Sequence, residues 1–335
     1  MSKVKVLVTG GTGLVGVAIK YVLENEPEGS PFKKREGEEW RFLGSKDVDL
    51  RKADDTLKFF QEYGPTYVIH LAALVGGLFA NRERKMTFLR DNMLINDNVL
   101  HASRLTKVQK VISCLSTCVF PDQVPSYPLT EAMVHLGPPH DSNFGYAYAK
   151  RMVDVQNRAY KEEFGCNFTS AIPTNVFGPN DNFDLKNAHV IPALIHKCHL
   201  ASVNGTPFNV MGDGTPLRQF IYSRDLAKLF IWQLREYNDV EPIIFTSGIS
   251  KQITIRKVAD SVAKAMKHNG KPIFEQKPGD NGQISKGASN AKLMSLIGPE
   301  YKFEFTPFDK ALEETVEWFN ANYGTGAVRG GLPSN

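Results

Sequence analysis

At 335 residues the chain exceeds the roughly 250–300 at which one hydrophobic core stops growing, so one large domain or two interleaved ones are expected. A composition of 42% hydrophobic, 23% charged and 10% aromatic residues excludes a disordered, collagenous or fibrous chain. Forty Lys and Arg against thirty-six Asp and Glu leave a net charge of +4, too small and too evenly spread for a nucleic-acid partner but compatible with a small anionic ligand.

The chain runs from Met1 straight into the apolar segment Val4-Lys5-Val6-Leu7-Val8, with no signal-like leader and no uninterrupted apolar stretch of about 18 residues. Four cysteines (Cys114, Cys118, Cys166, Cys198) form no Cys-x-x-Cys pair and are too few for a disulfide scaffold. The expectation is a cytoplasmic protein with no membrane partner. Short β-branched runs at 4–8, 40–44, 67–71, 110–116 and 168–174 alternate with helical patterns, the longest at 84–105 and 145–164. Such alternation predicts an α/β fold, a Rossmann-type doubly wound parallel sheet covered on both faces. In the second long helix, Ala149, Met152, Val153, Gln156, Ala159 and Tyr160 share a side that reads as core, with Arg151, Asp154, Arg158 and Lys161 elsewhere. The stretch 26–39, charged and containing Pro and Gly, reads as a solvated loop of little chemical importance. After Pro173 the alternation breaks into Pro- and Gly-rich segments. Residues 1–177, completed by 219–247, are therefore assigned to a dinucleotide-binding domain, 178–218 and 248–323 to a smaller α+β substrate lobe, and 324–335 to a disordered tail.

Directly after the first strand comes Thr9-Gly10-Gly11-Thr12-Gly13-Leu14-Val15-Gly16, followed by a helical pattern. Glycines there permit a tight turn and close approach of backbone N–H groups to a diphosphate at a helix N-terminus, so the unit predicts dinucleotide binding. After the second strand, Ser45 and Lys46 suit a ribose 2′-phosphate and favour NADPH/NADP, although Asp47 keeps NAD open; Asp49-Leu50 follow near the adenosine position. In Gly145-Tyr146-Ala147-Tyr148-Ala149-Lys150 the phenol and the ammonium lie four residues apart on one helix face. A neighbouring ammonium lowers a tyrosine pKa toward working pH and makes Tyr146 a proton donor to a carbonyl oxygen. Ser116, at the C-terminal end of the fourth strand, adds a hydroxyl. His196 and His199 flank Cys198 at helical spacing, but with no third ligand at reasonable spacing no metal is expected.

Gly10, Gly13, Gly16, Ser116, Tyr146 and Lys150 together resemble the extended short-chain dehydrogenase/reductase family, whose members act mostly on nucleotide-activated sugars. Further motifs sharpen the likeness: His70-Leu71-Ala72-Ala73, Ser116-Thr117-Cys118-Val119-Phe120-Pro121, Pro173-Thr174-Asn175-Val176-Phe177-Gly178-Pro179-Asn180-Asp181-Asn182-Phe183 and His189-Val190-Ile191-Pro192. These resemble the branch that epimerises and reduces GDP-4-keto-6-deoxy-D-mannose, over essentially residues 4–323. The resemblance implies a reductase triad of Ser116, Tyr146 and Lys150 and an epimerising acid/base pair of Cys118 and His189. It implies that Leu71, Ala72, Ala73, Cys114, Leu115, Ser116, Pro173, Asn175, Val176 and His189 line the cofactor, and that Lys197, Met211, Arg218 and Asp280 contact the GDP-sugar. Cys118, two residues past Ser116, should face the same side if the backbone is extended. Two departures stand out. Met211 replaces an aromatic residue, and the usual Pro-Asp-Gly order is disturbed around Gly279-Asp280-Asn281. The alternatives are another NAD(P)-dependent nucleotide-sugar epimerase or dehydratase, or a catalytically silent NADPH-binding regulator. The family habit of pairing its two long helices implies a homodimer.

Overall fold

The computed structural model describes residues 3–275 and 285–331, with Leu78 and Phe79 described by their backbone alone. The first half alternates as the hydrophobic pattern requires: β1 (Val4–Thr9), α1 (Leu14–Asn25), β2 (Glu38–Leu43), α2 (Ala53–Tyr63), β3 (Tyr67–His70), α3 (Leu78–Glu83), α4 (Lys85–Leu105), β4 (Lys110–Cys114), α5 (Phe144–Phe164) and β5 (Phe168–Pro173). The second half continues with β6 (Asn175–Phe177), α6 (Val190–Asn204), β7 (Asn209–Met211), β8 (Leu217–Arg218), β9 (Phe220–Tyr222), α7 (Ser223–Glu236) and β10 (Ile243–Phe245). It ends with β11 (Ile253–Thr254), α8 (Ile255–Ala265), β12 (Ile273–Glu275), α9 (Ala291–Leu296) and α10 (Phe308–Asn322).

Six parallel strands form the central sheet in the order β2-β1-β3-β4-β5-β10. The chain moves outward from β1 to β2 and then crosses to β3, so the switch point, where open α/β sheets bind ligands, falls at the C-terminal ends of β1 and β3. β5 is buried throughout, as expected of a strand covered on both faces. One face packs on α1 and α7 through Val8, Ile19, Leu226 and Phe230, and the other on α2, α4 and α5 through Leu7, Phe60, Leu100 and Val153. A third cluster, including Ile195, Phe208, Val262 and Phe319, forms the core of the second lobe.

Three expectations change. Residues 26–39 do not form a merely solvated loop: Phe32 is buried against Tyr301 and Phe303, and Arg235 donates to the carbonyls of Pro31 and Lys33. On α5 the expected core side is partly outward, since Met152 is exposed while Arg151 and Asp154 are buried. Burial of these charges is offset by specific partners. Arg151 donates to the carbonyls of Val119 (2.9 Å) and Gly137 (2.8 Å), and Asp154 lies 2.7 Å from His135 and 3.4 Å from Arg158. The expected disorder from Gly324 is not observed at 324–331. Val328 is buried in the lobe core and Phe183 N–H donates to the Arg329 carbonyl at 2.8 Å.

Candidate active site

The glycine turn closes tightly against its neighbours. Gly10 has φ +67°, and a Cβ there would come within 2.7 Å of Ala72 N at the switch point. A Cβ on Gly16 would lie 2.5 Å from Gly11, so only glycine lets α1 start this close to the turn. No side chain caps the first turn of α1, leaving its N–H groups and partial positive charge to a ligand. A cleft of about 690 Å³ opens there, large enough for a dinucleotide.

Of the residues expected to hold the cofactor, Gly10, Thr12, Gly13, Leu14, Val15, Gly16, Ser45, Asp49, Leu50, Leu71, Ala72, Ala73, Cys114, Leu115, Ser116, Lys150, Pro173, Asn175, Val176 and His189 line this cleft. Gly11 and Lys46 do not. Gly11 faces β2, where its N–H donates to the Leu43 carbonyl at 2.8 Å, and Lys46 is exposed beside the turn. Asp47, which kept the NAD reading open, accepts from Gly44 N–H at 2.7 Å and so serves that turn. Asp49 binds Arg51, which also bonds Asp91 at 3.2 Å; Arg51 and Asp91 both line the cleft and were not foreseen. The Arg51 hydrogen bonds hold the Asp49 carboxyl below its ordinary range. NADPH should be preferred over NADH by well over tenfold, about 1.4 kcal/mol per tenfold, with the preference reduced in Lys46→Ala. Equal kcat/KM values for the two cofactors in the wild type would show that Asp47 or Asp49 governs the site.

His70 carries no catalytic proton here. Thr9 Oγ lies 2.7 Å from its Nδ1 and Asn96 Oδ1 lies 3.1 Å from its Nε2, a pairing that assigns the ring proton to Nε2. Burial, then the Lys150 charge, pushes His70 down to about 3, so it is neutral in the folded protein. Because this value lies below the ordinary 6.5, its stabilising effect is full above pH 6.5 and is lost as acid approaches pH 3.

Lys150, 2% exposed, donates to the Cys114 carbonyl at 2.8 Å, and its Nζ lies 5.9 Å from the Tyr146 ring centroid. The expected lowering of the Tyr146 pKa is not what this geometry produces. Burial, followed by the Cys118 and Cys114 sulfurs, pushes the phenol well above its usual 10, and burial lowers the Lys150 ammonium. Tyr146 is thus held as a phenol with its proton in place. Phe88 packs edge-on against its ring at 6.4 Å.

The segment after Ser116 is not extended. It turns as a 3-10 helix over Thr117–Val119, with Ser116 Oγ accepting from Cys118 N–H at 3.4 Å. This turn leaves Cys118 buried directly beside Ser116, though not among the residues that line the cleft. Burial raises the thiol, while Lys286, the Ser116 hydroxyl and Lys150 act to lower it. Lys286 was not anticipated from sequence, since nothing in its spacing ties it to Cys118. His189, from the second lobe, precedes α6 and lines the cleft. Its side chain is exposed to the cleft, and the protein around it holds its pKa below the usual value.

The described substrate candidates lie outside the cleft lining. Lys197 is on α6, Met211 is an exposed residue of β7, and Arg218 of β8 is partly buried, close enough to Lys286 for their charges to interact. Asp280 lies outside the described residues. Two cleft residues, Asp181 and Arg329, went unassigned in the sequence. Asp181 stood inside a quoted motif, whereas Arg329 sat in a Gly-rich tail that offered no signal.

The sequence profile of the NAD dependent epimerase/dehydratase family matches residues 6–248. A GDP-L-fucose synthase of Dictyostelium discoideum is 51% identical over 97% of this chain and 98% of its own length. A probable GDP-L-fucose synthase of Drosophila melanogaster is 50% identical over 95% and 98%. The crystal structure of a GDP-L-fucose synthetase from Naegleria fowleri bound to NADP superposes with a TM-score of 0.88 at 45% identity, covering 98% of this chain and 97% of that one.

Proposed function

The chain belongs to the NAD dependent epimerase/dehydratase family, and on that premise we propose that it is a GDP-L-fucose synthase. With NADPH as cofactor, it epimerises GDP-4-keto-6-deoxy-D-mannose at C3 and C5 and reduces it at C4. One observation carries the reading: the Ser116, Tyr146 and Lys150 set that any such ketoreductase needs adjoins Cys118 and shares its cleft with His189, two residues a plain ketoreductase does not need.

The C4 ketone acidifies the protons on C3 and C5. Cys118 and His189 remove and return these protons on opposite faces of the ring, while Ser116 and Tyr146 hold the enolate oxygen. Burial raises the Cys118 thiol overall, and the Lys286 charge offsets part of that rise. Bound NADPH supplies hydride to C4. Tyr146, kept protonated by its burial, gives its proton to the C4 oxygen, and Lys150 stabilises the phenolate left behind.

Following NADPH absorbance with and without the 4-keto sugar nucleotide tests this reading. Oxidation of NADPH only when the sugar is present is expected. Intact NADPH binding with no oxidation would favour a silent regulator, and loss of water from a GDP-hexose without net NADPH consumption would favour a dehydratase. We further propose a homodimer formed through α4 and α5. Met93, Tyr148, Met152 and Val155 are exposed on these packed helices, and Met93, Ala149, Met152 and Gln156 line a depression of about 170 Å³ between them. Sedimentation at the mass of two 37.4 kDa chains is the expected result, and a single-chain mass at micromolar concentration would contradict it.

A further inference from the structure

Beyond α10 the chain does not leave the protein. Thr325 turns it, its N–H and hydroxyl donating to the Asn322 carbonyl at 3.1 and 2.7 Å, and Val328 plugs into the lobe core. Arg329 then pairs in parallel with Asn182, accepts from Phe183 N–H at 2.8 Å, and donates from Nη2 to the Asn180 carbonyl at 2.6 Å. The C-terminal segment thus straps down the loop that leads to His189, and Arg329 and His189 both line the cleft. Between those tethers lies Asp181, only 4% exposed and itself a cleft residue. Its Oδ1 accepts from Asn182 N–H at 2.7 Å, but its buried Oδ2 has no hydrogen-bond partner. A buried, unpaired carboxyl oxygen beside an open binding cleft is costly to maintain unless a ligand uses it.

We propose that Asp181 is a binding residue for the nicotinamide end of the dinucleotide, its free Oδ2 meeting a neutral hydrogen-bonding group there, and that Arg329 of the C-terminal strap is the residue that positions it. The proposal rests on the dinucleotide cofactor and not on the identity of the sugar. Burial pushes the Asp181 carboxyl up to about 7, against the Asn182 N–H and the Arg329 charge, which pull it down. Other titratable groups on the neighbouring elements are Asp184, Lys186 and His189 on its own loop and His196 of α6, which bonds the Phe183 carbonyl; the facing segment 75–81 contributes Asn81 and carries no charge. In its acid form Asp181 donates a hydrogen bond from Oδ2. As a carboxylate it puts a negative charge into a cleft that takes a polyanion, so dinucleotide affinity must fall as pH rises through the Asp181 pKa.

NADPH binding, followed by its fluorescence with no sugar present from pH 6 to 9, tests the proposal in wild type, Asp181→Asn, Arg329→Ala and Arg329→Lys, each checked by thermal melting. Relative to Asp181→Asn, wild-type affinity should fall at least about threefold with a midpoint near 7. Arg329→Ala should move that midpoint upward, because a cation that lowers the carboxyl pKa is gone, and Arg329→Lys should largely restore it. Should Asp181→Asn not fold, the comparison of Arg329→Ala with Arg329→Lys carries the same test. Parallel pH curves for wild type and Asp181→Asn, or an unmoved midpoint in Arg329→Ala, would overturn the proposal. A folded wild type that binds no NADPH at any pH would overturn the cofactor reading and this proposal with it.

Discussion

Tyr146→Phe is expected to bind NADPH almost as the wild type does and to reduce the 4-keto sugar about 10²–10⁴-fold more slowly, the range for loss of a positioned general acid. The substitution removes only the hydroxyl. The ring keeps its edge-on packing against Phe88, and the Gly10 turn and first turn of α1 are untouched. Burial holds the phenol well above its usual pKa, so in the wild type the proton is present throughout the working range and is delivered only when charge develops on the C4 oxygen. Ser116 can polarise that oxygen but, without Tyr146, lacks a partner poised to take over the proton transfer. Lys150→Ala should damage both cofactor affinity and turnover. It removes the ammonium that stabilises the phenolate and leaves the Cys114 carbonyl without its 2.8 Å partner. A Tyr146→Phe enzyme reducing at the wild-type rate would remove Tyr146 from the mechanism.

Cys118→Ala should separate the two reactions. It leaves Ser116, Tyr146 and Lys150 in place, and the 3-10 turn that positions residue 118 is held by Ser116 Oγ accepting from a backbone N–H that alanine retains. The variant should bind NADPH and the GDP-sugar, yet incorporate solvent deuterium at C3 and C5 at least about a hundredfold more slowly. Hydride transfer to the unepimerised ketone can continue slowly, giving a GDP-6-deoxyhexose of the wrong configuration at both carbons. His189→Ala should show the same separation from the other face. Its pKa lies below the ordinary histidine value of 6.5, so the wild-type epimerisation rate should decline on the acid side as His189 takes up a proton. Mass spectrometry in D2O with NADPH omitted checks both variants. Wild-type exchange in both would make Cys118 and His189 structural and the enzyme a plain 4-ketoreductase.

Most of the strands were legible because they are short buried runs between turn residues, and the glycine turn because few backbones other than that before a phosphate-binding helix need Gly10, Gly13 and Gly16 together. The sixth strand, β10, is three residues long and carries too little pattern to stand out as a strand. Arg151 and Asp154 were placed off the core side because periodicity sees charge and not partners; their burial depends on carbonyls and a histidine from the segment before the helix. Cys118 was found through the resemblance of its motif, but the expected extended backbone is not there: the chain turns at Thr117. Lys286, Arg51 and Arg329 reach the site through tertiary folding alone. Such single cations, without spacing to mark them, are invisible to pattern reading however directly they set the charge of the cleft.

On the proposed function, one pocket both inverts two carbons and reduces a third. Its most direct test is the mass and configuration of the product that the wild-type enzyme makes from GDP-4-keto-6-deoxy-D-mannose and NADPH in D2O. The expected product is GDP-L-fucose bearing solvent deuterium at C3 and C5 and the NADPH-derived protium at C4. A reduced product without solvent deuterium at either carbon, with the D-manno configuration retained, would show that the pocket reduces without epimerising.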